Sequence, residues 1–219
     1  MNRSEMASMF ILYDSYGNMI NAIVKQHPGE KLSREFLEDA LLSLVAHRAK
    51  PEHVNRLVVF KDGTIRGADE ARSISDALRS FGRKIGLEEY DVVGVVKRSN
   101  LRLFNVTLGA EGGLRDITNP RRGVWAKLWS IARHGVKAER ALVVSSETKA
   151  GGTVTPVVIE HYDISSSSRS IEGVVMEYIR LCRLNFWSPV DGLSKYPLPV
   201  LMADKIAYLS ALGVGIRTP

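Results

Sequence analysis

Two clusters of cations are the residues of this sequence best suited to meeting a polyanion. Lys97, Arg98 and Arg102 crowd one short segment, and Arg121, Arg122 and Lys127 crowd a second around the run N-P-R-R-G. Several cations near one point suit a phosphate backbone, although either group also reads as a solvated turn. A formal net charge of +6 over 219 residues points the same way, because each neutralised phosphate releases counterions. Gly151, Gly152 and Thr153 offer backbone N–H groups to an anion, or simply make a turn. Other chemistries are poorly served. Cys182 is the only cysteine, which excludes an intrachain disulfide and a cysteine-clustered zinc site. His27, His47, His53, His134 and His161 lack metal-ligand spacing and read as surface or hydrogen-bonded histidines. Trp125, Trp129 and Trp187 are able to stack bases, but burial in the core is the favoured reading.

The elements that must position these residues follow from periodicity. Met9–Lys25 reads as two strands about a turn at Ser15–Asn18. A helix follows, with Phe36, Leu37, Ala40, Leu41, Leu44 and Val45 on one face, Ser33 as N-cap and Pro51 beyond its end. Arg56–Gly63 is a short apolar strand ending in a turn, and Ile74, Leu78 and Phe81 line a second helix. Asp91–Arg98, Arg102–Leu108, Ala141–Ser146 and Thr155–Asp163 read as strands, and Ile171–Leu184 as a helix. Gly123–Gly135 fits either a short helix or a ragged strand. The last helix spans roughly Val200–Leu212, and Ser165–Ser168 reads as a solvated loop. Strands alternating with helices predict a single α/β domain, a mixed sheet flanked by helices. No apolar run approaches the roughly 18–20 residues that span a bilayer. MNRSEMASMF lacks the apolar core of a signal peptide, so no membrane partner is expected and cytoplasm is the default location.

Four segments in order resemble the PIWI domain, the RNase H-like half of an Argonaute protein. They are the hairpin, helix and strand ending F-K-D-G at Phe60–Gly63, followed by Gly67; V-V-K-R-S-N-L-R-L-F at Val95–Phe104; S-S-E-T-K-A-G-G-T-V-T-P at Ser145–Pro156; and P-L-P-V-L-M-A-D-K-I-A at Pro197–Ala207. The A-D-K-I-A ending looks more prokaryotic than animal. The resemblance covers nearly the whole chain and implies an RNase H-like fold over residues 1–219 that binds guide and target nucleic acid, RNA or DNA. It also implies that the Lys97–Arg102 segment touches the guide near its 5′ end. Thr155 stands where family members often carry an arginine.

RNase H-like nucleases hold two divalent ions about 4 Å apart on hard oxygen ligands. The resemblance assigns three catalytic positions here: Asp62 and Asp204 as metal ligands, and Glu30 as the mobile glutamate, 62 − 30 = 32 residues before Asp62. On their own these are a D-G turn residue, a helix-dipole aspartate and a solvated glutamate. The family's fourth ligand is an aspartate on a first, central strand that precedes the hairpin. Only Met1–Ser8 precede the hairpin here, with Glu5 their sole acid, and Asp14 is a poor substitute because the turn follows at once. The expectation is therefore a domain incomplete at its N-terminus that binds without cutting alone. The alternative is a guide-directed endonuclease using Mg2+ or Mn2+, its missing aspartate supplied by a partner chain. Phe10–Tyr13 and Leu57–Phe60 would each present an unpaired apolar edge, inviting a strand from a MID-domain partner, a closed-up sheet or self-association.

Overall fold

The computed structural model describes residues 5–14, 16, 18–28, 32–46, 54–133, 135–146, 152–184 and 195–211. Its elements run β1 (Glu5–Tyr13), β2 (Met19–Pro28), α1 (Arg34–Val45), β3 (Arg56–Asp62), α2 (Ala68–Ile85), β4 (Glu89–Val96), β5 (Asn105–Leu108), β6 (Leu114–Thr118), β7 (Trp125–Arg133), β8 (Val136–Val143), β9 (Val157–Tyr162), α3 (Ile171–Arg183) and α4 (Leu198–Ala211).

The main sheet has the order β3-β4-β9-β8-β7. β3 runs parallel to β4 and every other pair is antiparallel, so the sheet is mixed, as expected. Strand alternation sends side chains to two cores. Val93, Val95, Val157 and Ile159 face α3, where Ile171, Val174, Val175, Tyr178 and Cys182 bury, together with Val200 of α4. Tyr90, Val92, Ala138 and Tyr162 face α2, against Ala71, Ile74, Leu78 and Phe81. Each fully buried Val, Ile or Leu contributes on the order of 1.5–3 kcal/mol, so the paired faces fix register as well as stability. Ser33 caps α1 as expected, its Oγ accepting from the Phe36 amide at 3.2 Å. Gly86 ends α2 in the left-handed conformation, at φ 72°.

Three readings of the sequence need correction or completion. The ambiguous Gly123–Gly135 segment is strand β7, and a bulge between Leu128 and Ile131 breaks its alternation. Trp129 lies inside that bulge on the edge strand and is 66% exposed, not buried, whereas Trp125 packs on the α3-side core. Trp187 lies outside the described residues. The serine run is not merely a solvated loop. Ser165 and Ser166 accept from the Val92 and Tyr90 amides at 2.9 and 2.8 Å, and the Ser166 amide donates to the Tyr90 carbonyl at 2.9 Å. Their hydroxyls do the work of a neighbouring strand along the start of β4.

β1 and β2 form a sheet of their own, with Asp14 closing the turn. Its carboxylate accepts from the Tyr16 and Asn18 amides at 2.9 and 2.8 Å. Glu5–Ser8 belong to this ladder, opposite Pro28–Lys25. α4 packs against both β1 and β3, while Phe10, Leu57 and Val59 pack on the α2-side core. β1 and β3 thus share a layer between the same helices, yet no ladder joins them among the described residues. The run Leu57–Phe60 is apolar on both faces, as in a central strand, but remains only part-buried at this edge.

Candidate acidic cluster and nucleic-acid interface

Asp62 closes β3, and its register partner on β4 is Val95. Alternation carries the same sheet face two residues on, to Lys97. The Lys97 Nζ lies 2.9 Å from Asp62 Oδ2 and donates a short hydrogen bond to Asp204 on α4. The two carboxylates, 142 residues apart (204 − 62) in sequence, thus meet at one nitrogen. Their nearest oxygens are within about 6 Å of each other, given ordinary bond lengths. The Tyr196 ring centroid stands 5.2 Å from the same Nζ, a cation–π contact. Lys97 is 17% exposed, against 58% for Asp62 and 41% for Asp204. Glu30 lies outside the described residues.

The turn after Asp62 rests on a buried polar scaffold that the sequence did not reveal. The Gly63 amide donates to the Val95 carbonyl at 2.9 Å. Tyr162 Oη accepts from the Ile65 amide at 2.9 Å and donates to Glu160 at 2.6 Å. Burial first, and the Glu160 bond second, push the Tyr162 hydroxyl far above its ordinary value, so it is a permanent donor. Glu70 accepts from the Arg66 amide at 2.6 Å and faces Lys61 at 3.6 Å. Lys61 in turn donates to the Thr64 carbonyl at 2.7 Å. The available signal was a glutamate at an apolar strand's centre, Glu160 in V-V-I-E-H-Y, which is 2% exposed. Across the sheet, fully buried Asp91 gathers His161 Nε2 at 2.9 Å, Arg56 Nε at 3.0 Å and the Ser167 hydroxyl. Arg56 also bonds Glu177 of α3 at 2.7 Å, tying helix to sheet.

The predicted basic residues divide. Arg98 and Arg102 are exposed just beyond β4, Arg102 donating to the Ser99 and Leu101 carbonyls at 2.8 and 2.9 Å, which stiffens the segment. Lys97 is turned into the acidic cluster. Arg121 is exposed beside β7 and Arg122 part-buried. The Lys127 ammonium sits between Glu139 at 3.4 Å and Glu172 at 3.5 Å, and those two partners, Glu139 foremost, raise its pKa. The glycine loop is tied down too: Asn119 donates to the Gly152 carbonyl at 2.8 Å and accepts from the Val154 amide at 3.3 Å. Gly151 lies outside the described residues.

A divalent ion at Asp62 and Asp204 would need further oxygen ligands. No group of three or more His, Cys, Asp or Glu able to hold a metal exists among the described residues. With a lysine ammonium already between the two acids, the described residues do not fit a two-metal centre.

No family model matches the sequence, and no curated protein does. Solved structures do match. The C-terminal lobe of a budding yeast Argonaute superposes with a TM-score of 0.57 at 15% identity, over 93% of this chain and 46% of that one. Drosophila Piwi gives 0.58 at 16% identity, over 94% of this chain and 29% of that one. Marinitoga piezophila Argonaute, in complex with 5′ OH guide RNA and target DNA, gives 0.50 at 15%, over 93% and 29%. This chain spans less than half the length of each of these proteins. At such identities the likeness is one of fold, and the fold is the RNase H-like mixed sheet of PIWI domains.

Proposed function

We propose that this chain is an Argonaute-like PIWI module of prokaryotic type that binds guide and target nucleic acid through the phosphate backbone and does not cut on its own. The guide would read sequence by base pairing while the protein reads charge and shape. The observation that carries this reading is the fold likeness over 93–94% of the chain to Argonaute and Piwi structures, one of them holding guide RNA and target DNA. Arg98 and Arg102, exposed and braced beyond β4, supply the phosphate donors. Arg121, exposed beside β7, is a secondary phosphate contact in this reading. Such a module belongs in cytoplasmic gene silencing or host defence. A MID-domain chain supplying a strand between β1 and β3, or self-association through those edges, would satisfy the open ladders.

One observation favours a second reading, a guide-directed endonuclease using Mg2+ or Mn2+: Asp62 and Asp204 converge. It requires Glu30 and an aspartate from a partner as well. The test for both is equilibrium binding of a labelled guide strand and a guide–target duplex to the purified chain, with gel analysis of the target. Binding without cleavage is expected. No binding at low salt overturns the first reading, and target cleavage that appears with Mg2+ or Mn2+ only when a partner chain carrying the aspartate is added supports the second.

A further inference from the structure

We infer that the Lys97 ammonium is the resident cation of the Asp62–Asp204 pair and excludes a divalent ion from it. This deepens the non-cutting reading by naming what occupies its acidic cluster. The placement follows from the sheet. Lys97 projects on the face that carries Asp62, two residues past the partner of Asp62, so β4 delivers the ammonium to that point without a long swing. Three groups hold it there: Asp62 at the end of β3, Asp204 on α4, and the Tyr196 ring just ahead of α4. A lysine so enclosed is 17% exposed, while both its acids are more open.

Charge and ligand number then decide against a metal. Mg2+ and Mn2+ demand about six oxygen ligands. The two carboxylates each already spend an oxygen on the ammonium, and a dication beside it meets like charge at close range. Two carboxylates with one ammonium retain a single negative charge, which needs no divalent ion for stability. It follows that nucleic-acid binding by this chain is independent of divalent cations, and that Arg98 and Arg102 rather than Lys97 meet the phosphates.

The test is Mn2+ binding to the full chain, read from the loss of the free-ion paramagnetic signal, without nucleic acid. A failed nucleic-acid reading therefore leaves this result interpretable. Wild type should bind Mn2+ no better than the D62N/D204N variant. K97M should bind at least about tenfold tighter than wild type, once the competing charge is gone, and adding D62N should abolish the gain. Wild type binding tighter than D62N/D204N, or K97M binding no tighter than wild type, overturns the inference. Should K97M fail to fold by circular dichroism, amine labelling of wild type decides. Lys97 should label more slowly than exposed Lys137, and Mn2+ should not change that ratio. A rise in Lys97 labelling with Mn2+ overturns the inference.

Discussion

Replacing Gly94 with alanine should destabilise the fold by crowding the turn that presents Asp62. A Cβ at Gly94 would stand 2.9 Å from the Gly63 carbonyl oxygen, 3.0 Å from Tyr162 Oη and 3.1 Å from Tyr162 Cε2. None of these is the loose end of a flexible side chain. Gly63 is fixed by its bond to Val95, and Tyr162 by its bonds to Ile65 and Glu160. Overpacking of this kind costs about 1–3 kcal/mol. Displacing the tyrosine adds roughly 1.5–3 kcal/mol for a bond to a charged group. The sum is about 2.5–6 kcal/mol, so with a urea slope of about 3 kcal/mol/M, the upper end of the usual range and fitting for a chain of this size, the midpoint should fall by roughly 1–2 M at unchanged slope. Y162F should cost about 1–3 kcal/mol alone, by stranding the Ile65 amide and Glu160. Because it also removes the clashing oxygen, G94A/Y162F should cost less than the sum of the singles by more than about 0.5 kcal/mol. Urea unfolding followed by far-ultraviolet circular dichroism measures all four proteins. A G94A midpoint equal to wild type, or strict additivity, would refute the account of this turn.

Burial pushes the Asp91 carboxyl upward, but His161, Ser167 and Arg56 outweigh it and hold its pKa below the ordinary value. A depressed folded pKa gives stability that is present above about pH 4 and lost as pH falls through the folded value. The stability gap between wild type and D91N should therefore narrow below pH 4 in acid-titrated melts. Burial pushes the Cys182 thiol up to about 12. A disulfide reagent should leave the native protein unmodified at neutral pH and react at once in denaturant; rapid native labelling would contradict the buried α3 face. Hydrogen exchange should find β3 amides that point away from β4 exchanging faster than any in β4. If a partner chain adds a strand along that edge, those amides should slow on mixing and the complex should migrate as a heterodimer. A monomer with uniformly protected β3 amides would remove the open edge.

How much of this was legible in the sequence depends on range. β-branched content marked Asp91–Val96 and Val157–Tyr162 as strands, which the fold buries on both faces, and the helices of the two covering layers read correctly from their spacing. The motifs around Asp62 and Asp204 marked two acids that do converge, although Asp204, read as lying near the start of the last helix, stands past the first turn of α4 in the middle of the helix and so is not a helix-dipole aspartate. β7 stayed ambiguous because its bulge interrupts the period, and the same bulge put Trp129 in solvent. The serine run hid its role because a hydroxyl replacing a ladder bond leaves no periodic trace. The engagement of Lys97 and Lys127 by carboxylates was invisible for a different reason. Their partners come from other elements, as Glu177 does to Arg56 across 121 residues, so a cluster of cations in sequence overstated the cations facing outward.

The central claim is backbone recognition of nucleic acid, and its most direct test is the salt dependence of binding by wild type and R98A/R102A. Fluorescence anisotropy with several unrelated sequences, across a range of salt, gives the slope of log K against log salt. If both arginines contact phosphates, the double variant should bind every sequence more weakly by a similar factor. Its slope should be shallower by roughly 1.4–1.8, at about 0.7–0.9 per contact. Adding K97A should change the slope little further. An unchanged slope, or a loss confined to one sequence, would contradict the claim.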